Sequence, residues 1–543
     1  MATAATRVSS ATTEIDVEPV TRTAGSIALR VATDAGGGRF TGSRCAVRMY
    51  RGYEGILAGR DLRDAIFLAS RCCGYHGGQH AIASAQAVEM ALELAPPPMA
   101  VALRNLGLAA ETIHAEAAHL FLLAGPDLSE QAVRHHWPDV WAVAQRATAP
   151  HADIHGITTI GEIMASLNPG AGRWYKDAFS VARIPLQMYA ILHGKYPHPQ
   201  TIVPGGVATN ISDTTTTKVH DYVVRLLSLV DPAKRVATMI DDLLTFLVAT
   251  VPALAEVGAG RASFIDGGQW DDPEDYDPTW AGLSARGERR WGAPGVVIDG
   301  ALRTSDLREV VEGIEESVER SFYEPGPGAA TLFARRNVPS RSAQSAGGPY
   351  SWCTTVTWNG ETVETGPGAR LFTTALRGTF PSNPFLAAND GALYLNLPEG
   401  ALPELVLEWR PPAVWNAIER TRARLYGVVF AALVAANQAF KVLDLQKQSR
   451  HQVSTPFDAW ARAGGRGVGV AGDGFMGHWL VAERGTIANY QVIAPSTINL
   501  GPGGAAERAI DGSPLMGSPA AGMAIEAQIA LRSFDPCGNC ASH

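Results

Sequence analysis

Apolar and polar positions divide the chain into a β-leaning start and a long helical remainder. Ile27 to Val31 and Cys45 to Tyr50 read as strands on either side of the Gly36-Gly37-Gly38 turn. Residues 61 to 95 turn helical. Ala100 to Leu123 then predicts an amphipathic helix, with Leu103, Leu106, Ile113, Ala117 and Leu120 on one side. Thr214 to Thr217 offer caps for a helix running to Val230, and Pro232 opens another through Val251. Pro412 to about Gln448 is the longest uninterrupted helical pattern and would span roughly 50 Å. Helices of this length pack as a bundle, and Gly427 permits close approach of a neighbour. Residues 267 to 292, acidic at Asp271, Asp272, Glu274, Asp275 and Asp277 and then basic, read as a surface excursion. So does the Gly/Pro/Ser-rich stretch from 325 to 348. The fold class expected is α+β and mainly helical: a central long-helix bundle with small peripheral β elements. Residues 1 to 16 are expected to be a flexible tail, and 17 to 543 one domain.

Composition narrows the function classes. Of 543 residues, 46% are hydrophobic and 18% charged, which is a globular composition and excludes a mostly disordered chain. The net charge of -8 argues against a nucleic-acid partner, which would call for a basic face. The apolar stretches Leu243 to Ala255 and Gly427 to Ala436 are too short for a membrane span or carry Pro252. Met1 to Asp16 is rich in Ala, Thr and Ser and lacks the apolar core of a secretory signal. The expected location is the cytoplasm, or the membrane periphery by way of a partner.

Six cysteines do not make a disulfide scaffold, but their placement points to a metal. Residues 71 to 80 read Arg-Cys-Cys-Gly-Tyr-His-Gly-Gly-Gln-His, and residues 535 to 543 read Asp-Pro-Cys-Gly-Asn-Cys-Ala-Ser-His. A C-x-x-C on a turn can set both thiolates on one ion. Cys73, His76, Cys537 and Cys540 would form a tetrahedral site of three thiolates and one imidazole for structural zinc, and a redox metal centre, or no metal at all, is compatible with the same spacing. Cys45 and Cys353 are expected in the core, and His114 and His119 to be packed rather than ligating. Arg370 is a candidate ion-pair anchor. Gly464 to Gly469 lacks the strand-then-helix setting of a phosphate loop.

Ordered motifs along the chain then carry a resemblance. They are Glu18-Pro-Val-Thr-Arg22, Arg51-Gly-Tyr-Glu54 through Ala65, His193-Gly-Lys-Tyr-Pro-His198 through Gly206, and Tyr350-Ser-Trp352. They continue with Trp358-Asn-Gly360, Glu364-Thr-Gly-Pro-Gly-Ala-Arg370, Gly477-His-Trp479 and Asn489 to Asn499, before the final C-x-x-C. From about residue 17 to 543 the chain resembles the large, catalytic subunit of a nickel–iron hydrogenase. Gly77-Gly78 before Gln79 and His80 resembles the actinobacterial, oxygen-tolerant uptake type.

The resemblance implies dihydrogen oxidation at nickel and an iron carrying carbon monoxide and cyanide. It also implies an iron–sulfur small subunit in a heterodimer or higher oligomer, and maturation proteins that remove any tail beyond His543. Cys73 and Cys537 match the terminal nickel ligands and Cys540 one bridging thiolate; His76 stands where the second bridge is a cysteine. Glu54 and His543 match magnesium ligands. Asp535, His80, Pro495 and Ser496 match positions around the metals, with Ser496 facing an iron-bound cyanide. Ala24, Ala115 and Asp473 replace the family's relay glutamate, metal-side aspartate and poised arginine. Cys537 can still take the first proton, and Asp473 could act as a base. These substitutions also leave room for a diverged member that keeps the fold and a metal but not hydrogen turnover, or for a zinc-closed scaffold.

Overall fold

The computed structural model describes residues 3–8, 13–22, 25–34, 36, 38–209, 213–325, 331–340, 342, 348–458, 464–516 and 524–543. Seven helices form the body: α1 (Gly77–Leu92), α2 (Pro98–Ala118), α3 (Arg173–His193), α4 (Asp213–Leu227), α5 (Val230–Thr250), α6 (Pro367–Arg377) and α7 (Ala417–Lys447). The principal strands are β1 (Thr3–Val8), β2 (Thr13–Glu18), β3 (Ile27–Thr33) and β4 (Phe40–Val47), then β5 (Phe264–Gln269), β6 (Gly292–Ile298) and β7 (Ala301–Thr304), and finally β8 (Gly464–Ala471), β9 (Met476–Glu483) and β10 (Thr486–Ile493). The mainly helical α+β architecture expected from the sequence is the one observed.

Helix α7 is the axis. Asn416 caps it by accepting from the Glu419 amide at 2.9 Å. It packs on α2, α4, α5 and α6. By length and composition α7 would cross a membrane, but slightly more than half of its most apolar window is buried inside the protein. Gly427 brings the helix against Pro367, where an added Cβ would lie 3.3 Å from the proline Cβ. Helix α2 is buried almost all round and lies in the core, its polar side chains Arg104, Asn105, Glu111 and Glu116 included.

The glycine-rich stretch at 464–469 is strand β8, lying directly on α1. Side chains at Gly465, Gly467 and Gly469 would run into the carbonyls of Ala91, Ala87 and Ala83, one helical turn apart. Alternate glycines and i, i+4 alanines thus let a backbone sit on a helix, which anchors the segment that starts at His76.

Three expectations are corrected. Residues 3–8 and 13–18 are not a flexible tail: β1 pairs with β2, which pairs with β3, in a four-stranded antiparallel sheet. The alternation Ile15-Asp-Val17 supplies a face whose apolar side chains are buried. The 267–292 segment is not a surface excursion. It holds buried β5 and β6, and Asp271 is buried between Arg286 at 3.2 Å and Arg290 at 2.8 Å. Exposed Glu274 is ion-paired to Lys441 at 2.6 Å and Arg450 at 2.8 Å. Pairing with Arg286 and Arg290 takes Asp271 out of the solvent, while Glu274 and Asp275 pair at the surface. Finally, the helix expected up to Val230 ends at Leu227, and α5 starts at Val230. Much of 325–348 falls outside the described residues.

Candidate metal centre

The chain reaches Cys73 in an extended conformation, at φ −136°, and turns into α1 with His76 at its N-cap. The amides of Tyr75 and His76 both donate to Cys73 Sγ at 3.3 Å. At the other end Asp535 adopts a left-handed φ of 52°, and Cys537 caps the short helix Gly538–Ala541. The Cys537 amide donates to Ser496 Oγ at 3.2 Å. Cys73 Sγ lies 3.6 Å from Cys537 Sγ and 3.6 Å from His76 Nδ1, which is 3.4 Å from Cys540 Sγ. The four donor atoms all lie within 4.8 Å of one another, and the residues are buried. Gly25, beside the opening motif, packs on Gly538, so the start of the chain closes over its last helix. Cys72 is buried outside this set, and Arg51 donates to its carbonyl.

Burial disfavours a thiolate at Cys73, but hydrogen bonds from Cys537, Cys540 and the two amides win and hold the thiol well below its usual range. Burial pushes the His80 imidazole well below its ordinary value, which favours the neutral ring. A buried file leaves the site from there. Cys540 Sγ is 3.8 Å from His80 Nε2, His80 Nδ1 is 2.9 Å from His478 Nε2, His478 Nδ1 is 2.8 Å from Tyr490 Oη, and Tyr490 donates to Ser84 at 2.8 Å. Glu54 Oε1 accepts from the Val492 amide at 3.1 Å and lies 3.4 Å from His543 Nδ1, while His543 Nε2 is 3.3 Å from Thr497 Oγ1.

A cavity beside Cys540 is lined by His76, Glu116, Asp473, Arg424, Ser496 and Asp535. Pro495 lines it too. Asp473 accepts from Gln79 Nε2 at 2.7 Å, Thr112 Oγ1 at 2.8 Å and Arg370 Nη1 at 3.2 Å, so Arg370 is the anchor expected of it. Glu116 pairs with Arg424 at 2.8 Å; burial pushes its carboxyl up to about 7 against that pairing. Ala115 is buried and Ala24 lies outside the described residues. His114 and His119 bond to the carbonyls of Ala182 (2.9 Å) and Arg532 (2.8 Å), and Cys45 and Cys353 are in the core.

Sequence reasoning passed over Glu111, Glu116, Arg424 and His478. Two acids on a helix read as packing in the core were the available signal for the first pair, since a buried carboxylate needs a reason to be there.

The donor chemistry suits a thiolate-rich transition-metal centre: three sulfurs, one imidazole, a dry pocket and a polar cavity at its side. The family model described as nickel-dependent hydrogenase matches residues 51–150 and 162–543. The chain belongs to the nickel-dependent hydrogenase family. Among solved structures, the actinobacterial-type NiFe-hydrogenase from Ralstonia eutropha H16 superposes with a TM-score of 0.93, at 32% identity, over 98% of this chain and 100% of that one. The hydrogenase-2 large chain of Escherichia coli K12 is 26% identical over 97% of both chains. The periplasmic [NiFeSe] hydrogenase large subunit of Desulfomicrobium baculatum is 25% identical over all of this chain and 97% of its own. Within this hydrogenase fold, the second donor position of the set carries an imidazole. A thiolate can bridge two metals at about 2.3 Å, whereas the ring nitrogens of an imidazole point apart and cannot. Three of the four donors are thiolates of that kind, and His76 suits one metal.

Proposed function

We propose that this chain is the catalytic large subunit of a dihydrogen-oxidising complex, a single body over 17–543, whose electrons leave through an iron–sulfur small subunit. The observation that carries this reading is the meeting of Cys73 and His76 with Cys537 and Cys540 in one buried donor set, from opposite ends of a chain of this family. In this reading Cys73 and Cys537 would hold the nickel, Cys540 would serve both the nickel and an iron that carries carbon monoxide and cyanide, and His76 would hold one metal. Bound there, the metal pair supplies the Lewis acid that polarises dihydrogen.

The chain's own residues do the rest. Ser496 holds the Cys537 backbone and turns its hydroxyl to the cavity wall, where, with Pro495, it would meet the iron's small ligands. Asp535 takes a strained left-handed turn that presents the C-x-x-C. Asp473, held by Gln79, Thr112 and Arg370, faces the cavity that Cys540 also lines and would serve there as a base. His80 supports Cys540 from behind. Glu54 and His543 would take the magnesium. With four of six cysteines at or beside the site and Cys45 and Cys353 in the core, no set of thiols remains for an iron–sulfur cluster. The partner must therefore supply one. Assembly of such a metal pair calls for maturation proteins, and a cytoplasmic place, or one at the membrane periphery through the partner, fits this reading.

His76 favours one rival, a diverged centre or a zinc site, because three thiolates and one imidazole make an ordinary zinc tetrahedron. Metal analysis and infrared spectroscopy of the purified complex separate them. Nickel and iron, with bands of metal-bound carbon monoxide and cyanide and hydrogen-dependent dye reduction, support the proposal. Zinc alone without those bands overturns it.

A further inference from the structure

The Glu111 carboxylate lies behind the cavity, on α2, with no Lys or Arg partner among the described ion pairs. Its Oε1 accepts from the Gly78 amide at 3.0 Å, in the first turn of α1. Its Oε2 is fully buried without a protein hydrogen-bond partner among the described residues, and so is the Tyr189 hydroxyl. Both oxygens converge on Gly78: an added Cβ there would collide with Tyr189 Oη and Glu111 Oε2 together. The glycine therefore leaves a gap into which a free carboxylate oxygen and a hydroxyl both open. A tyrosine hydroxyl donates to an ionised carboxylate and accepts from a protonated one, so it can solvate both states.

Helping to hold up Oε1 alone would need no second oxygen in such a place. A carboxylate whose only task is to cap α1 is more cheaply satisfied with its other oxygen paired. The three acids that line the cavity are engaged by guanidinium groups, Asp473 by Arg370, and Glu116 and Asp535 by Arg424. Glu111 is the acid whose free oxygen and lack of a cation let it accept a proton.

We propose that Glu111 is the proton-holding residue of this centre, taking a proton on Oε2 in the gap it shares with Tyr189 beneath Gly78. The inference rests on the dihydrogen-oxidation reading. Dihydrogen gives two protons and two electrons; the electrons go to the iron–sulfur partner, and each proton in turn converts the Glu111 carboxylate to the acid before leaving for water. Thr112, the next residue along α2, donates to Asp473 at 2.8 Å, which sets the cavity's base beside Glu111. The charged and titratable groups facing Glu111 are His76 at the start of α1, Asp473 from the β8–β9 turn, and Tyr189 and Tyr196 from α3 and the loop after it. Burial dominates and pushes the Glu111 carboxyl up to about 8, opposed by His76 and the Gly78 and Gln79 amides and helped by Asp473. A group poised near neutrality both takes and releases protons readily.

The test is the complex of this chain with its small subunit, comparing wild type, Glu111→Gln and Glu111→Asp by infrared difference spectroscopy and dye-linked dihydrogen oxidation. Wild type should show a buried carboxylic-acid band that shifts in deuterium oxide, titrates near pH 8 and is absent in Glu111→Gln. Glu111→Gln should keep the metal-bound carbon monoxide and cyanide bands but oxidise dihydrogen about a hundredfold more slowly, having lost the rise in rate with pH. Glu111→Asp should recover part of both. Wild-type rate and pH profile in Glu111→Gln, or retention of the carboxyl band, overturns this inference alone. A metal-loaded wild type that oxidises no dihydrogen overturns the functional reading, and this role with it.

Discussion

At the scale of single residues, the donor set decides what the pocket can hold. On the proposed reading Cys540→Ser removes a thiolate that serves both metals, so the purified variant should lose the second metal, read by metal-to-protein stoichiometry. His76→Cys restores a fourth sulfur; its metal-bound carbon monoxide and cyanide bands should move relative to wild type, because thiolate gives more charge to the metal than imidazole does. Unchanged bands would mean His76 is not a ligand. Glu111 also bears on stability. Its carboxyl is raised from 4.5 to about 8, so the folded state binds more protons than the unfolded one between those values. Stability relative to Glu111→Gln should therefore be fully present below about pH 4.5, fall as pH rises towards 8, and be flat beyond. A denaturant titration at several pH values reads that slope. Residue identity alone told us that Cys73, His76, Cys537 and Cys540 belong to one chemistry. It did not say that Glu111 would be left with a free oxygen, because a buried orphan is a property of neighbours.

At the scale of elements, β8 on α1 is the contact that fixes the first half of the site. Gly467 lies over Ala87, and a side chain there would meet the Ala87 carbonyl. Gly467→Val should lower stability by about 1–3 kcal/mol, in the range of overpacked cores, and should loosen metal binding because α1 carries His76 and follows Cys73. The melting temperature and metal content are the two readouts. The run from Gly464 to Gly469 could be seen in the sequence not to be a phosphate loop, yet its use was hidden. Small residues alternate in the strand and recur every four in the helix, and the two patterns gain meaning only when the elements are laid together. The acidic run near 271 misled for the same reason. Local charge says solvent, whereas Arg286 and Arg290 bring Asp271 inside.

At the scale of the whole molecule, the two ends are held together by more than a metal. Arg532, just before the C-x-x-C, donates to the Val20 carbonyl at 3.1 Å and pairs with Asp127 at 2.8 Å, and Arg22 pairs with the same carboxylate at 2.6 Å. Asp127→Ala leaves Arg532 buried and unpaired, so it should cost about 3–5 kcal/mol. It should also speed proteolysis of the C-terminal segment, followed by the appearance of fragments ending before Cys537. A variant as stable as wild type would show that the clamp contributes nothing.

The sequence alone determined the helical class of the body, the long helix from Pro412 to about Gln448, the four candidate donor residues and the departures at His76, Ala115 and Asp473, because periodicity and side-chain chemistry are written position by position. Tertiary structure decided that donors some 460 residues apart converge to within 4.8 Å, that Arg370 answers Asp473, and that Glu111 opens into a gap under Gly78. Distance, burial and the pairing of charges depend on which segments are brought together, and that is fixed by packing of the whole chain rather than by any stretch of it.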